Sequence, residues 1–286
     1  EAQRAGVHYL AWLVSPFPDK PFYWLSNPFH ASLNESIFSI DVQDESIIKK
    51  AINYVHNFQN KSEKLFYVDN LKNRHDLSIL IGEIYAVLKT VLQSLFNVHR
   101  SKYLHKYWYG DNSEIRMKIN NYLNSFIYKY DKIDDIKKYE VVFYPLHYEP
   151  EASIIYFSEF YEDQIALIRN LSKCLNLNQV LVIKEHPQQT GMLLGKKFRD
   201  LKKRLSNIAY LPAEYPTKTL IRQSNLIITQ TSTAGWEAIL LGKPVVVIGK
   251  VFYDKYPLVN KFINFEQLRE NIRKNNFLIP EKNTTI

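Results

Sequence analysis

The chain has 286 residues, of which 46% are hydrophobic and 23% are charged. This length suffices for one large domain or two modest ones, and the composition is that of an ordinary globular protein rather than a disordered one. The formal net charge of +8 favours anionic partners such as phosphates, acidic sugars or anionic lipid. A nucleic-acid partner is not expected, because the sequence has no recognisable nucleic-acid-binding motif and no long basic run.

The single cysteine, Cys174, excludes an internal disulfide and a cysteine metal cluster in this sequence. It lies in an amphipathic helical pattern, which predicts a buried apolar thiol. The chain opens on EAQRAG, without Met and without the charged-then-apolar pattern of a signal peptide. A trimmed form of a longer protein is one interpretation of this start.

The first part of the chain predicts several helices and few strands. Residues 7–14 (VHYLAWLV) predict a strand, and a segment rich in proline and aromatic residues follows it. Helical patterns cover residues 44–59, 76–107 and 112–130. The longest pattern contains Glu83 and Lys89 and is amphipathic, so it predicts a core or interdomain helix rather than a membrane span.

From residue 136 onward, short β-branched runs alternate with helical stretches. Strands are predicted at 139–145, 179–184, 207–211, 225–229 and 244–248, and helices at about 155–175, 195–205, 216–223 and 234–241. This alternation is typical of a parallel sheet that is covered by helices on both faces. We therefore predict an α/β protein in which residues 136–286 form a Rossmann-like, doubly wound domain, preceded by a more helical region at 1–135.

The stretch NLIITQTSTAGWEAILLGKPVVVIG (225–249) places hydroxyl side chains between a predicted strand and a predicted helix. In doubly wound sheets, ligands bind beyond the carboxyl ends of the strands. Thr231, Ser232 and Thr233 fall there, and hydroxyls with free backbone N–H groups at a helix start predict a phosphate site. Gly235 would let a ligand approach the backbone closely. The alternative is that one hydroxyl serves only as a helix N-cap.

Glu237 lies one turn into the same predicted helix. A capping box would place a glutamate three residues after the N-cap, but Gly235 follows Ser232 at that spacing and Trp236 follows Thr233. The Glu237 carboxylate is therefore a candidate contact for the sugar hydroxyls of a nucleotide. The alternative is a surface glutamate that the helix dipole favours.

A second motif, VLVIKEHP (180–187), runs from a predicted buried strand into Lys184 and His186. Two potentially cationic side chains at the carboxyl end of a strand suit an anionic ligand or leaving group. The alternative is a histidine with a purely structural role.

A third motif, FYPLHYEPEAS (143–153), also follows a predicted strand. It concentrates His147, Glu149 and Glu151 between two prolines. Carboxylates in such a position can act as a general base or as a nucleophile. The alternative is that these acidic residues are simply solvated in a loop.

Together, YPLHYEPEAS, KEHP and TSTAGWEAILLGKPVVVIGKVFY resemble the capsule polysaccharide biosynthesis family, which includes bacterial β-Kdo transferases of the GT-B type. The match covers about residues 139–254. The resemblance implies that residues 136–286 bind a CMP-activated acidic sugar. Residues 1–135 would then form an acceptor-side or linker region, either reduced or incomplete.

The resemblance also assigns roles to individual residues. The acidic residue of the family's loop falls on Glu151, four residues after His147, where the family usually has Asp and Gln. Glu149 is the reserve candidate for that carboxylate. The candidate catalytic residues are thus Glu151, His186 and His147. The candidate nucleotide-binding residues are Lys184, Thr231, Ser232, Thr233, Gly235 and Glu237.

The implied activity is transfer of Kdo or a related nonulosonate from a CMP donor to a bacterial surface glycan or glycolipid. No metal or other cofactor is expected, and the expected location is cytoplasmic, peripheral to the inner face of the membrane. Residues 99–110 (HRSKYLHKYWYG) interleave basic and aromatic side chains, which predicts either a contact with anionic lipid or a solvated helix end.

Two other functions stay open on the sequence alone. The first is a GT-B transferase that uses a UDP-sugar or a polyol-phosphate donor. The second is a non-catalytic subunit that binds a nucleotide sugar or a glycan. The poverty of strands in residues 1–135 favours this second function, whereas the presence of His186, Ser232 and Glu237 argues against it.

Overall fold

The computed structural model describes residues 11–17, 20–25, 33, 39–60, 81, 85, 130–148, 152–187 and 196–280. The strands in this part of the chain are β1 (Ala11–Phe17), β2 (Lys20–Leu25), β3 (Glu140–Pro145), β4 (Gln179–Lys184), β5 (Ile208–Leu211), β6 (Leu226–Thr229), β7 (Val245–Val247) and β8 (Asn260–Lys261). The helices are α1 (Glu45–Asn60), α2 (Ile133–Ile136), α3 (Ala152–Phe157), α4 (Gln164–Cys174), α5 (Lys196–Arg204), α6 (Thr217–Gln223), α7 (Ala234–Leu240) and α8 (Phe265–Lys274).

Strands β3 to β8 form one six-stranded sheet in the order β5-β4-β3-β6-β7-β8. All of its pairings are parallel, so the carboxyl ends of all six strands meet at one edge. The chain adds β4 and β5 on one side of β3 and then returns to add β6, β7 and β8 on the other. The predicted α/β fold with a doubly wound parallel sheet is confirmed, and its winding direction changes between β3 and β6.

The central strands are apolar at nearly every position because both of their faces are buried. In β3, Val141 and Phe143 pack into one core cluster, and Val142 and Tyr144 pack into the other. This division follows from the two-residue period of side chains along a strand. Helices α1, α6 and α7 contribute buried residues to the first cluster, and α4, α5 and α8 contribute to the second.

The prediction of a single helix at about 155–175 is wrong, because the structure has two helices there. Helix α3 ends at Phe157, and Phe160 adopts a left-handed backbone conformation with φ of 73°. Helix α4 then begins anew at Asp163, whose carboxylate accepts a hydrogen bond of 3.0 Å from the backbone N–H of Ala166. This N-cap satisfies one of the free donors of the first turn and fixes where α4 starts.

The amino-terminal part differs from the prediction in its strands. β1 and β2 form an antiparallel hairpin whose register shifts between Val14 and Phe17. The strand predicted at 7–14 is observed over 11–14 and extends to Phe17, and residues 7–10 lie outside the described part. The second strand lies in the proline-rich segment, where none was predicted, because KPFYWL is rich in aromatic β-formers and proline is tolerated at a strand end.

Most of the long helical patterns fall outside the described residues. Within 76–107 only Ile81 and Tyr85 are described, and both are helical. The patterns at 112–129 and the basic-aromatic stretch 99–110 are not described, so those predictions stand untested, as does the division into two domains. Among the described residues, no helix combines the length and the apolar character that crossing a membrane requires.

Helix α1, predicted at 44–59, packs against the helices that cover the sheet. Phe58 is 2% exposed within the first core cluster, and the Lys218 ammonium lies 4.4 Å from the centroid of its ring. Lys218 also donates to the Phe58 carbonyl oxygen, and Gln59 Nε2 donates to the carbonyl oxygen of Leu240 at 2.8 Å. These contacts fix α1 to α6 and α7, so a segment from the amino-terminal part completes the core.

Replacing Phe58 by Ala should therefore destabilise the whole sheet domain. We expect a loss of about 3–5 kcal/mol in the free energy of unfolding, since a buried aromatic ring leaves a cavity. Urea denaturation followed by circular dichroism measures this loss as a lower midpoint at an unchanged slope. The matched control is Ile52→Ala on the same helix, where Ile52 is 49% exposed and a change below about 0.5 kcal/mol is expected. Equal effects of the two substitutions would contradict the docking of α1.

Candidate functional site

The candidate site lies at the carboxyl edge of the sheet, where the winding direction changes between β3 and β6. In such sheets the loops after the two central strands diverge and leave a crevice for a ligand. His147 follows β3, and Thr231 follows β6. Lys184 ends β4 and His186 follows it, so the topology brings three of the sequence motifs to one edge.

His147 joins the two loops directly. Its side chain is buried, and Nε2 accepts a hydrogen bond of 3.0 Å from the backbone N–H of Thr231. The backbone of His147 is held in turn by Gln164, whose Oε1 accepts from the His147 N–H at 2.9 Å. Gln164 Nε2 donates to the His147 carbonyl oxygen at 3.1 Å. The first residue of α4 therefore fixes both the position and the orientation of the His147 peptide.

A buried polar network lies on the core side of the two loops and supports this arrangement. The Tyr144 hydroxyl donates to Gln230 Oε1 at 2.6 Å and lies 3.3 Å from Gln164 Oε1. Gln230 Nε2 donates to Ser158 Oγ at 2.9 Å and to the Tyr161 carbonyl oxygen at 2.7 Å. Tyr144, Gln164 and Gln230 are all essentially unexposed. A network whose members satisfy one another rigidifies the loops above it, because breaking it would leave buried groups unpaired.

The sequence did not identify Tyr144, Gln164 or Gln230 as part of the site. A signal for Gln164 was present, since it occupies the apolar face of α4 together with Leu167, Ile168 and Leu171. A polar residue on an apolar helix face requires a buried partner. The sequence does not show which partner that is, because His147 and Tyr144 reach Gln164 only through the topology of the fold.

His147 is a neutral histidine in this environment. Burial, together with a smaller effect of the neighbouring His186, lowers its pKa to about 3. Because Nε2 accepts from the Thr231 N–H, the ring proton of the neutral form resides on Nδ1. Among the described residues, neither His147 Nδ1 nor Thr231 Oγ1 has a hydrogen-bond partner, although both atoms are buried. Two adjacent residues of the crevice thus hold unused hydrogen-bonding capacity.

Lys184 supplies the cation of the site. It is 6% exposed, and burial lowers its pKa to about 8, against the opposing effect of Glu214, Glu237 and Glu185. Burial raises the pKa of Glu237 to about 7, against the opposing effect of Lys184 and Lys218. Lys184 and Glu237 therefore interact electrostatically and both titrate close to neutral pH. Such perturbed groups at a strand end are typical of functional sites.

His186 is neutral in the unliganded protein, in contrast to the cationic character that its motif suggested. Burial, together with a smaller effect of the positive charge of Lys184, lowers its pKa to about 4. The Tyr148 ring packs edge-on against it, with a centroid distance of 6.0 Å. At physiological pH, His186 can therefore donate a hydrogen bond to an anion, whose charge would in turn raise its pKa.

Glu185, between these two residues, has a structural role. It is 2% exposed, and its two carboxylate oxygens accept hydrogen bonds of 2.8 Å from the hydroxyls of Tyr130 and Tyr210. The side chain of Glu185 points to the face of the sheet opposite to that of Lys184, as the alternation along a strand requires. It anchors the segment before β3 to β5 and leaves Lys184 to the crevice.

The hydroxyl loop is only partly engaged in helix capping. Ser232 Oγ accepts a hydrogen bond of 3.2 Å from the Ala234 N–H, and the Ser232 N–H donates to Thr229 Oγ1 at 3.1 Å. Thr233 is the N-cap residue of α7, but its side chain makes no capping bond. The N-cap alternative thus accounts for Ser232 and leaves Thr231 and Thr233 without that role.

Gly235 has a packing role within the protein. A Cβ atom there would overlap the Tyr253 hydroxyl and lie 2.9 Å from Thr229 Cγ2. The Tyr253 hydroxyl also donates to the Ser232 carbonyl oxygen. The close approach that a glycine permits is made by Tyr253, and the expected approach of a ligand to Gly235 stays a prediction.

Two candidate carboxylates, Glu149 and Glu151, lie outside the described residues, so their predicted roles are untested. Within the described ranges, no group of three or more His, Cys, Asp or Glu side chains is placed to hold a metal ion. Cys174 is buried as predicted, and burial raises the pKa of its thiol to about 11. A thiol of this kind is unreactive.

The family of the chain follows from comparison with known proteins. Residues 48–267 match the family model "Capsule polysaccharide biosynthesis protein", and the chain belongs to this family. The resemblance inferred from the three motifs is thereby confirmed. The capsule polysaccharide export protein KpsS of Escherichia coli is 38% identical over 81 residues, which are 26% of this chain and 20% of that protein.

Two solved structures are more distant. KpsC of Thermosulfurimonas dismutans, a β-Kdo 2,7 transferase, is 21% identical with a TM-score of 0.37, over 57% of this chain and 53% of that one. A glycosyl transferase family 9 protein from Veillonella parvula DSM 2008 is 13% identical with a TM-score of 0.31, over 60% of this chain and 47% of that one. The chain therefore spans about a fifth of the curated relative and about half of each solved chain.

The two buried histidines should make the stability of the protein depend on pH. Their folded-state pKa values of about 3 and about 4 lie below the ordinary value of 6.5, so the unfolded chain binds more protons between these values. Between about pH 6.5 and 4.5 each histidine should make stability fall with decreasing pH by up to about 1.4 kcal/mol per pH unit, and Glu237, whose folded-state pKa of about 7 lies above its ordinary 4.5, should offset one such contribution. Urea unfolding between about pH 6.5 and 4.5 measures this slope.

The variant His147→Gln keeps an acceptor for the Thr231 N–H but removes one titrating ring, so the slope of stability against pH should be lower than that of the native protein by up to about 1.4 kcal/mol per pH unit. The control is His56→Gln, on the exposed side of α1, which should leave the slope unchanged. A native protein whose stability is constant over this range would show that the buried histidines are not held neutral.

Proposed function

We propose that the chain is a glycosyltransferase that binds a CMP-activated acidic sugar, Kdo or a related nonulosonate, in the crevice between β3 and β6. The observation that carries this proposal is the buried Lys184 at the carboxyl end of β4, which interacts electrostatically with Glu237 of α7. Membership of the capsule polysaccharide biosynthesis family supports sugar chemistry. The three motifs at this edge resemble those of β-Kdo transferases, which supports CMP as the nucleotide.

The chemistry of the crevice suits a nucleotide phosphate. Burial makes the charged form of Lys184 costly, and a bound phosphate would restore that form with a charge-assisted hydrogen bond. The hydroxyls of Thr231 and Thr233 and the ring N–H of His147 can donate to phosphate or sugar oxygens. Glu237 stands one turn into α7, where its carboxylate can accept from ribose hydroxyls. On this proposal Ser232 adds a backbone contact and Gly235 preserves the loop geometry.

His186 would act on the leaving group. Departure of CMP places negative charge on a phosphate oxygen, and a neutral imidazole N–H directed at that oxygen stabilises the charge as it develops. His147 would position the loop after β6 through Thr231 rather than exchange a proton, since burial holds its pKa at about 3. These roles divide the two histidines into one that contacts the donor and one that orients the site.

The donor-binding part of the proposal can be tested with CMP alone. Replacing Lys184 by Met keeps the length of the side chain and removes its charge, so CMP should bind more weakly by about 1.5–3 kcal/mol, the range for hydrogen bonds to charged groups. Calorimetry measures this change. The control is Lys243→Met, which lies at the opposite edge of the sheet, where its ammonium donates to the Ser224 carbonyl oxygen. The same loss in both variants would remove Lys184 from the site, and preference for UDP would favour the alternative donor.

The catalytic part of the proposal assigns the nucleophile to Glu151. Its carboxylate oxygen would attack the anomeric carbon while the bond from that carbon to the CMP phosphate breaks, and CMP leaves with the electron pair. The oxygen of an acceptor hydroxyl would then attack the anomeric carbon, its proton would pass to solvent water, and Glu151 would leave as a carboxylate, so that two inversions retain the configuration. Glu149 is the reserve candidate.

Glu151→Gln preserves the shape of the side chain and removes its charge, so CMP binding should persist while transfer falls by at least about a hundredfold. Intact-mass analysis with donor alone should show a glycosyl adduct on the native protein and none on the variant. The companion variant Glu149→Gln should keep both the adduct and the activity. Full transfer by Glu151→Gln would refute the assignment, and absence of turnover together with tight CMP binding in the native protein would favour a non-catalytic subunit.

A further inference from the structure

The basic residues of the described chain are distributed unequally between the two faces of the sheet. On one face, α4, α5 and α8 together carry eleven basic and three acidic residues, of which eight basic residues and one acidic residue lie on α4 and α5. On the opposite face, α1, α6 and α7 together carry four basic and two acidic residues. Two of those four, Lys218 and Arg222, donate to main-chain oxygens of α1 and thus serve the packing of that helix.

Five positive side chains described on α4 and α5 are exposed, and Lys202 is paired with the Asp131 carboxylate. The exposed ones are Arg169, Lys173, Lys197, Lys203 and Arg204. Arg199 is half-buried beside them, and Asp200 is the one acidic residue on these two helices. The apolar residues Phe198 and Leu201 pack into the second core cluster. The outward side of the two helices, which we call the basic face, is therefore almost purely cationic.

We propose that the basic face docks the protein on an anionic lipid surface. Clusters of four to eight Lys and Arg residues on an amphipathic helix are attracted to anionic headgroups. The apolar side of α5 is already occupied by the core, so the helix lies on the headgroups without inserting into the acyl region. The interaction is consequently electrostatic and should weaken as salt is raised.

The chemistry of this face favours a lipid surface over a soluble polymer. Sugar rings and nucleobases are usually bound by aromatic stacking platforms, and none of the described outward side chains of α4 and α5 is aromatic, since Phe198 is buried. Ile165 and Leu175 of the α4 region and Leu201 of α5 are packed against the core. Two neighbouring helices with charges along their outer sides suit a flat array of phosphates.

The proposal is tested by co-sedimentation of the full chain with lipid vesicles. The native protein should bind vesicles of phosphatidylcholine mixed with phosphatidylglycerol, should not bind phosphatidylcholine alone, and should be released by added sodium chloride. Each basic residue near such a surface contributes roughly fivefold to binding. The variant Lys203→Gln/Arg204→Gln should therefore bind roughly thirtyfold more weakly, and Arg169→Gln/Lys173→Gln, on the other helix, should weaken binding similarly.

The matched control is Lys49→Gln/Lys50→Gln, which removes the same charge from two exposed, adjacent lysines of α1 on the opposite face. It should bind vesicles as the native protein does, and circular dichroism should show all three variants folded. Equal weakening by the control would overturn the proposal in favour of a general effect of net charge. Native binding that is independent of phosphatidylglycerol would also overturn it, as would binding to heparin without binding to vesicles.

Discussion

The hydrogen bond from the Thr231 N–H to His147 Nε2 connects the two strands between which the sheet changes its winding direction. The loops after β3 and β6 diverge from this point because the chain continues to opposite sides of the sheet, so without a link their relative position would vary. Gln164 and Gln230 hold the same two loops from below. The crevice that lies between the loops, and the geometry of every side chain in it, depends on this bridged pair of strand ends.

Periodicity predicted the sheet domain well because the forces that form it act locally along the sequence. The strand β4 was predicted with the observed bounds, and β5, β6 and β7 were predicted within a residue or so of each end. Their continuous β-branched runs follow from burial on two faces. The break between α3 and α4 was missed because it depends on one N-cap, Asp163, and on a left-handed backbone at Phe160. The second strand of the β1–β2 hairpin was not predicted, because it lies in a proline-rich segment and proline is uncommon within strands.

The candidate site could be predicted only in its chemistry-bearing residues. Lys184, His186 and Thr231 follow strands that the sequence reveals, and parallel strands bring their carboxyl ends together. The residues that orient them gave weaker signals, since Tyr144 resembles any other core aromatic in the sequence and Gln164 differs from a surface amide only by its helix face. For Glu185, the position in the sequence suggests a site residue, whereas its contacts are structural. It stands in the same motif as Lys184, but two tyrosine hydroxyls give it a structural role.

Burial shifts the pKa values of four groups in the crevice in the direction that favours their neutral forms. Burial lowers the pKa of Lys184, His147 and His186 and raises that of Glu237, so desolvation disfavours the charged form of each. A bound dianion would oppose this effect on Lys184, His147 and His186 and add to it on Glu237, because negative charge raises the pKa of a base and of a carboxyl group alike. Ligand binding and proton uptake are therefore coupled, and the crevice should bind a phosphate dianion more tightly as the pH falls from about 8 toward 7, while the ligand itself stays ionised.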